Sequence, residues 1–228
     1  MANGNLYLVS VPIGNIKDIT LRALEILKDA DAIIAEDTRQ AGNLIKLLNL
    51  PRVRLLSYRD QQHERVFPQI LELLSAGKNL ALISDRGTPT ISDPGYKLVR
   101  DLHSVGISVL SVPGANAAIA ALSVSGLPTD RFVFLGFLPR TAGKQRKLLQ
   151  QFATLPATFI IYESPFRVIK LLKLIGEELG NIEIVLAHEL TKLNEEIIKG
   201  RLEEVMKVMQ VKKIKGEWVV LGRSGLTG

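Results

Sequence analysis

A chain of 228 residues, 46% of them hydrophobic and 23% charged, is long enough to bury a sizeable core as one large domain or two small ones. That balance is the profile of a soluble globular protein rather than a disordered one, and no window approaches the roughly 18 consecutive apolar residues that a membrane span needs. The net charge of +6 is moderate, and zero cysteines exclude disulfides, thiolate metal sites and a cysteine nucleophile.

Short apolar runs alternate with helical periodicity along the first half. Leu6–Val11 reads as a strand, and Thr20 opens a helical pattern through Leu21, Leu24, Ile26 and Leu27. Ala32–Ala35 is a second strand, followed by Leu44, Ile45, Leu47 and Leu48 at helical spacing. Val53–Ser57 precedes a helix carrying Phe67, Ile70, Leu71 and Leu74, closed by Gly77. Leu80–Ser84 precedes one with Tyr96, Leu98, Val99 and Leu102, closed by Gly106, and Ile107–Val112 completes the set. Five such strands separated by amphipathic helices predict a doubly wound α/β domain with a mainly parallel sheet covered on both faces.

Pro113–Asn116 reads as a hinge, and Ala117–Val124 as a small-residue helix. Beyond it, Phe132–Phe137, Thr158–Tyr162, Ile182–Ala187, Glu195–Lys199 and Trp218–Gly222 have strand character. Helical patterns cover Lys144–Gln151, Phe166–Ile175 and Leu202–Met209. Two strands following each other without a helix, at 182–187 and 195–199, point to a mixed sheet. The expected organisation is therefore two α/β domains, 1–113 and 114–228.

In open α/β sheets, ligands bind beyond the carboxyl ends of the strands. Two segments stand there: Val11-Pro12-Ile13-Gly14-Asn15 after the first strand, and Ser84–Gly95 (SDRGTPTISDPG) after the fourth. Glycine lets backbone approach a ligand and proline fixes the loop, so little entropy is lost on binding. Asp85 directly follows the apolar run, which aims its carboxylate into the crevice. Asp93-Pro94 before the Tyr96 helix fits a helix cap followed by a first-turn proline.

Other nucleotide signatures fail. No G-x-G-x-x-G follows the first strand. Gly136–Gln145 (GFLPRTAGKQ) has six residues between its glycines where a phosphate-binding loop has four, and Gln145 where Ser or Thr is needed. There is no G-x-S-x-G. Histidines at 63, 103 and 188 lie too far apart in sequence to suggest a zinc motif, so no metal is expected. The N-terminus has no basic stretch or cleavage pattern, which argues for the cytoplasm.

The positive charge is clustered. Arg140, Lys144, Arg146 and Lys147 form an acid-free group, Arg52, Arg54, Arg59 and Arg65 are diluted by Asp60 and Glu64, and Lys207, Lys212, Lys213 and Lys215 lie near the C-terminus. Each cluster suits ordinary solubility. Several on one small protein also suit a polyanionic partner.

The chain resembles the tetrapyrrole-methylase-like methyltransferases, and within them those that methylate a cytidine 2′-oxygen of small-subunit (16S) ribosomal RNA. The resemblance runs from Leu6 to about Leu221. It rests on VPIGN at 11–15, AEDTR at 35–39, SDRGTPTISDPG at 84–95 and SVPGAN at 111–116. SGLPTDRFVFLGFLPR at 125–140, YESPFR at 162–167, ELTKLNEE at 189–196 and KGEW at 215–218 continue it. The resemblance implies two α/β domains, S-adenosylmethionine held between them, and a homodimer. It places the cofactor against Pro12, Gly14, Asp85, Gly87, Thr88, Asn116 and Ala117, and against Phe137, Tyr162, Glu163, Leu190 and Gly216 of the second domain. Arg86 stands where Ala is usual, Ala115-Asn116 where Pro-Ser is usual, Phe166 where His is usual, and His188 where Arg is usual. These departures imply tuned affinity rather than a new reaction.

Methyl transfer to a ribose hydroxyl needs alignment and removal of a proton. Glu36, Asp37 and Arg39, at the end of the second strand, suit this: Asp37 or Glu36 as proton acceptor, Arg39 on phosphate or nucleotide. Asp37 equally fits the N-cap of the next helix. Lys192 is a further candidate, for phosphate contact or for lowering the hydroxyl pKa, and Arg140, Lys144, Arg146 and Lys147 are expected to grip RNA backbone from a surface loop. The competing readings are methylation of a tetrapyrrole precursor and a non-catalytic RNA-binding protein on the same fold.

Overall fold

Apolar side chains on two faces of one sheet dictate the N-terminal architecture. The computed structural model describes residues 2–223, and the chain divides into two compact units, Met1–Asn116 and Ala117–Gly228. In the first, β1 (Leu6–Val9), β2 (Ala32–Ala35), β3 (Arg54–Ser57), β4 (Leu80–Ile83) and β5 (Val109–Val112) alternate with four helices. These are α1 (Leu21–Asp29), α2 (Thr38–Leu47), α3 (His63–Ser75) and α4 (Tyr96–Ser104). The sheet is entirely parallel, in the order β3-β2-β4-β1-β5. Every residue of β2 (AIIA) and β4 (LALI) is buried, because a central parallel strand has helices on both sides. Ile33, Ala35, Ala81 and Ile83 pack with Ala23, Leu27, Ala41 and Ile45 of α1 and α2. On the other face Ile34, Leu80 and Leu82 meet Ile70, Leu74, Leu98 and Leu102 of α3 and α4.

The first strand ends at Val9 rather than Val11. Ser10 and Val11 leave the ladder, and Val11 instead exchanges two backbone hydrogen bonds with Gly87 (2.8 and 3.0 Å). Connections from β1 and from neighbouring β4 depart in opposite directions along the sheet, so a crevice opens between their carboxyl ends.

The second unit has β6 (Phe132–Phe137), β7 (Thr158–Glu163), β8 (Glu183–His188), β9 (Glu196–Arg201) and β10 (Trp218–Arg223), in the order β6-β7-β10-β8-β9. Only β6 and β7 pair in parallel, so the sheet is mixed. Helices α6 (Ala142–Ala153), α7 (Val168–Leu179) and α8 (Leu202–Val211) cover a core of Phe159, Ile161, Ile184, Leu186, Trp218 and Val220. Helix α5 (Ala117–Ser125) packs on the opposite face. Two expectations change here. The helix expected from Phe166 begins at Val168, after a turn over residues 165–167. Lys144, Arg146 and Lys147 lie on α6, not in a loop, and only Arg140 precedes the helix.

Candidate functional site

Three loops leave the carboxyl ends of β4, β1 and β5, which are neighbours in the sheet, and the sequence locks them together. Beyond the Val11–Gly87 bridge, Thr88 Oγ1 donates to the carbonyl of Ala115 at 3.1 Å. Its one proton thus spent, it accepts from Ser10 Oγ at 3.0 Å. Ser84 Oγ closes the turn onto the carbonyls of Arg86 and Gly87. Pro12, Gly14, Asp85, Gly87, Thr88 and Asn116 are thereby gathered on one rim. Gly87 is needed there: its φ is +73°, and a Cβ would come within 3.3 Å of Ile13 Cγ2.

This rim fits the cofactor that the sequence implies. Pro12 and Ile13 give buried apolar surface beside an exposed Asp85, whose carboxylate takes no hydrogen bond or ion pair among the described residues. That carboxylate is free to accept from hydroxyl or amino groups.

Along the same rim, β2 ends in Glu36 and Asp37. Asp37 is the N-cap of α2, accepting from Arg39 N at 2.9 Å, and it also binds the Arg39 guanidinium at 2.7 and 3.1 Å. The Arg39 side chain holds the Asp37 carboxyl far below the usual carboxylate range, with the Arg39 amide adding to it. Arg39 itself is 88% exposed. Glu36 lies 3.7 Å from Arg59 Nε.

Asp93 does not cap α4. The chain passes through left-handed conformations at Thr90 (φ +72°) and Ser92 (φ +64°), and Gly95 (φ +126°) becomes the N-cap. The free Gly95 amide is taken by Asp60 Oδ1 at 3.2 Å, from the segment after β3. The Asp93 carboxylate takes no hydrogen bond among the described residues, and burial, together with the negative charges of Glu36 and Asp85, raises its pKa to about 6. Asp93 is the residue that sequence reasoning set aside. The signal that could have found it is local: Pro94 favours a cap only if the helix starts there, and Gly95 is an equally good starting point.

In the second unit the expected residues sit at the sheet edge where β6, β7 and β8 end and β10 begins. The Tyr162 hydroxyl accepts from the Ala118 amide (3.0 Å), at the start of α5 next to Ala117. The tyrosine ring lies edge-on to Phe137, which is 60% exposed. Glu163 follows Tyr162 in the same strand and so faces the opposite side of the sheet. It is buried, accepts from the Ser164 amide (2.7 Å), and pairs with Arg167 at 3.0 Å. The structure therefore does not bring the Tyr162 and Glu163 side chains together.

After β8, Glu189 and Thr191 both have left-handed backbone (φ +50° and +65°) on either side of buried Leu190. Such conformations cost on the order of 1–3 kcal/mol each and concentrate at functional segments. Lys192 Nζ is clamped between Glu189 Oε1 and Glu217 Oε2, both at 2.8 Å, and this ammonium keeps the Glu189 carboxyl below its ordinary range. Gly216 lies against the same carboxylate, which would touch a Cβ there at 2.6 Å. Arg146 is paired with Glu177 and Glu178 of α7, whereas Arg140, Lys144 and Lys147 are exposed and without ion pairs among the described residues. Among the described residues no group of His, Asp or Glu could hold a metal ion, and no helix is long and apolar enough to cross a membrane.

Residues 5–206 match the family described as Tetrapyrrole (Corrin/Porphyrin) Methylases. Over 218 residues, 96% of this chain and 75% of the relative, the chain is 44% identical to a Ribosomal RNA small subunit methyltransferase I from Halalkalibacterium halodurans. It is 41% identical to the protein of that name from Thermotoga maritima, across 96% of this chain and 97% of the relative. Its fold is similar to that of uroporphyrin III C-methyl transferase from Thermus thermophilus, with a TM-score of 0.65 at 23% identity, covering 96% and 97% of the two chains.

Proposed function

We propose that this chain, which belongs to the tetrapyrrole (corrin/porphyrin) methylase family, transfers a methyl group to small-subunit (16S) ribosomal RNA at the 2′-hydroxyl of a cytidine ribose. The observation that carries this reading is the identity of 41–44%, along 96% of the chain, to ribosomal RNA small subunit methyltransferases. The cofactor is S-adenosylmethionine, which supplies, when bound, a methyl group on a positively charged sulfur. Likeness to the uroporphyrin enzyme concerns fold alone.

Each group has a role in this reading. The braced loops at 10–15, 84–95 and 113–116 hold the cofactor with little reorganisation, Asp85 accepting from its polar groups. In the second unit, the resemblance assigns Ala117, Phe137, Tyr162, Leu190 and Gly216 to cofactor contact in this reading, and Glu163 supports the turn beneath. The ribose hydroxyl must give up a proton as its oxygen is methylated. Asp37, held ionised by Arg39, is a weak base, so the acceptor in this reading is the neighbouring carboxylate pair Glu36 and Asp93, with the proton held on Asp93, whose pKa is raised. Arg39 and Lys192 orient phosphate, and Arg140, Lys144 and Lys147 hold the RNA backbone. A homodimer working in the cytoplasm without a metal completes the proposal.

Methyl transfer from labelled cofactor is to be measured on assembled small subunits, naked ribosomal RNA and a tetrapyrrole precursor. Label is expected in RNA, in a cytidine whose 3′ linkage resists alkali, because a methylated 2′-oxygen cannot attack the phosphate. Label in the tetrapyrrole alone would overturn the substrate assignment. RNA binding with no cofactor binding by calorimetry would leave a non-catalytic RNA-binding protein.

A further inference from the structure

We propose that Phe166 is a stacking platform for an unpaired base of the substrate RNA, placed beside the basic segment before and within α6 so that base and phosphate of one single strand are held together. This rests on the RNA reading given above.

Phe166 is 90% exposed, at the turn between β7 and α7. A lone exposed apolar side chain is ordinary; what sets this one apart is how firmly its turn is held and what lies next to it. The Ser164 carbonyl accepts from the amides of Arg167 and Val168, both at 3.1 Å, and Pro165 fixes the backbone between them. Below, buried Glu163 accepts from the Ser164 amide and pairs with Arg167. The backbone that carries the ring is therefore held, so no ordering of the turn is needed when a ligand stacks on it.

Arg167 also joins this turn to the basic segment. Its Nη2 donates to the Leu138 carbonyl at 3.0 Å, and the Pro139 carbonyl next along accepts from Gln145 Nε2 at 2.7 Å. Arg140 thus follows two anchored carbonyls, with Lys144 and Lys147 on the helix just beyond. These three cations have no ion pairs among the described residues, while Arg146 is neutralised by Glu177 and Glu178. An exposed aromatic ring on a turn that Arg167 ties to the segment carrying unneutralised cations suits a nucleotide: the ring takes the base and the cations take phosphate. Stacking needs a base free of a duplex, so the ligand is single-stranded RNA, and every base has a face to offer.

The test uses the full chain and a short single-stranded RNA carrying 2-aminopurine in place of one base, moved along the strand. With the native protein, fluorescence quenching is expected at one position. Phe166→Ala should abolish that quenching and weaken binding about 5- to 150-fold, the range set by one base stacked on one ring, while Phe166→Trp retains both. Because the ring is exposed, the fold and the cofactor affinity measured by calorimetry should not change, and the loss should fall on KM for RNA rather than on kcat. Binding of Phe166→Ala within twofold of native, or an equal loss on duplex RNA of the same length, would overturn the proposal. Failure of the native protein to bind or methylate any RNA would refute the RNA reading itself, and this inference with it.

Discussion

Replacing Asp93 with Asn should make the N-terminal unit more stable and the enzyme slower. In the unfolded chain this carboxyl ionises near 3.8, and in the folded protein near 6. The folded state therefore holds the proton more tightly, and the stabilisation this brings is complete below about pH 4 and lost as pH rises through 6. Full burial would make the loss about 3 kcal/mol; partial exposure of Asp93 reduces it to about 1–2 kcal/mol. Asn carries no charge at any of these pH values, so Asp93→Asn should gain about 1–2 kcal/mol over the native protein above pH 6 and nothing below pH 4. Amide hydrogen exchange of β4 reports opening of this unit, and comparing the two proteins at each pH cancels the intrinsic exchange rate. Single-turnover methylation by the native protein should rise with pH through an inflection near 6, and the variant should lose the inflection and about 10²–10⁴-fold in rate. Equal exchange of the two proteins from pH 4 to 7.5, with an unchanged rate profile, would refute both the charge repulsion among Glu36, Asp85 and Asp93 and the assignment of the proton to this group.

Thr88→Val keeps the shape of the side chain but removes the hydroxyl that joins Ser10 to Ala115. It should cost about 1–3 kcal/mol in stability, since both partners lose a part-buried hydrogen bond. Cofactor affinity, by calorimetry, should fall about tenfold as the loops separate; unchanged affinity would mean that the loops are held by the backbone bridge alone. Lys144→Glu with Lys147→Glu should weaken RNA binding and flatten its dependence on salt, by roughly 0.7 in logarithmic slope for each single-strand phosphate that the protein no longer neutralises. Arg146→Glu should instead lower stability by setting a third carboxylate against Glu177 and Glu178, which a melting curve would detect.

Elements whose cause is local were legible from the residues. AIIA and LALI contain nothing that could face water, so β2 and β4 had to be central, and the helices between such strands had to cover both faces. Asp37 fitted a cap, and it is one, because its partner amide lies two residues away. The C-terminal edge was less legible. The resemblance sets Tyr162 and Glu163 together against the cofactor, yet strand geometry sends one toward α5 and the other beneath the turn that carries Phe166. Arg146 counted as a free cation until α7 brought Glu177 and Glu178 across from it, 31 and 32 residues away in sequence.

Asp93 shows where sequence reasoning of this kind stops. Asp-Pro ahead of a helix satisfies every local rule for a cap, and whether the carboxylate caps or remains unpartnered depends on which acceptor reaches one amide. Here Asp60, 35 residues earlier in the chain, reaches the Gly95 amide. That single hydrogen bond leaves Asp93 without a structural partner, near two other carboxylates and partly out of water, a combination that raises its affinity for a proton. Removing Asp60's side chain would therefore reach the chemistry indirectly. With Asp60→Ala the Gly95 amide is left without its acceptor, Asp93 becomes the nearest candidate to cap α4, and a carboxylate engaged by an amide titrates lower. The inflection in the methylation profile should then move below pH 6 while Asp93 itself is unaltered, and an inflection that stays in place would mean that the two carboxylates do not compete for that amide.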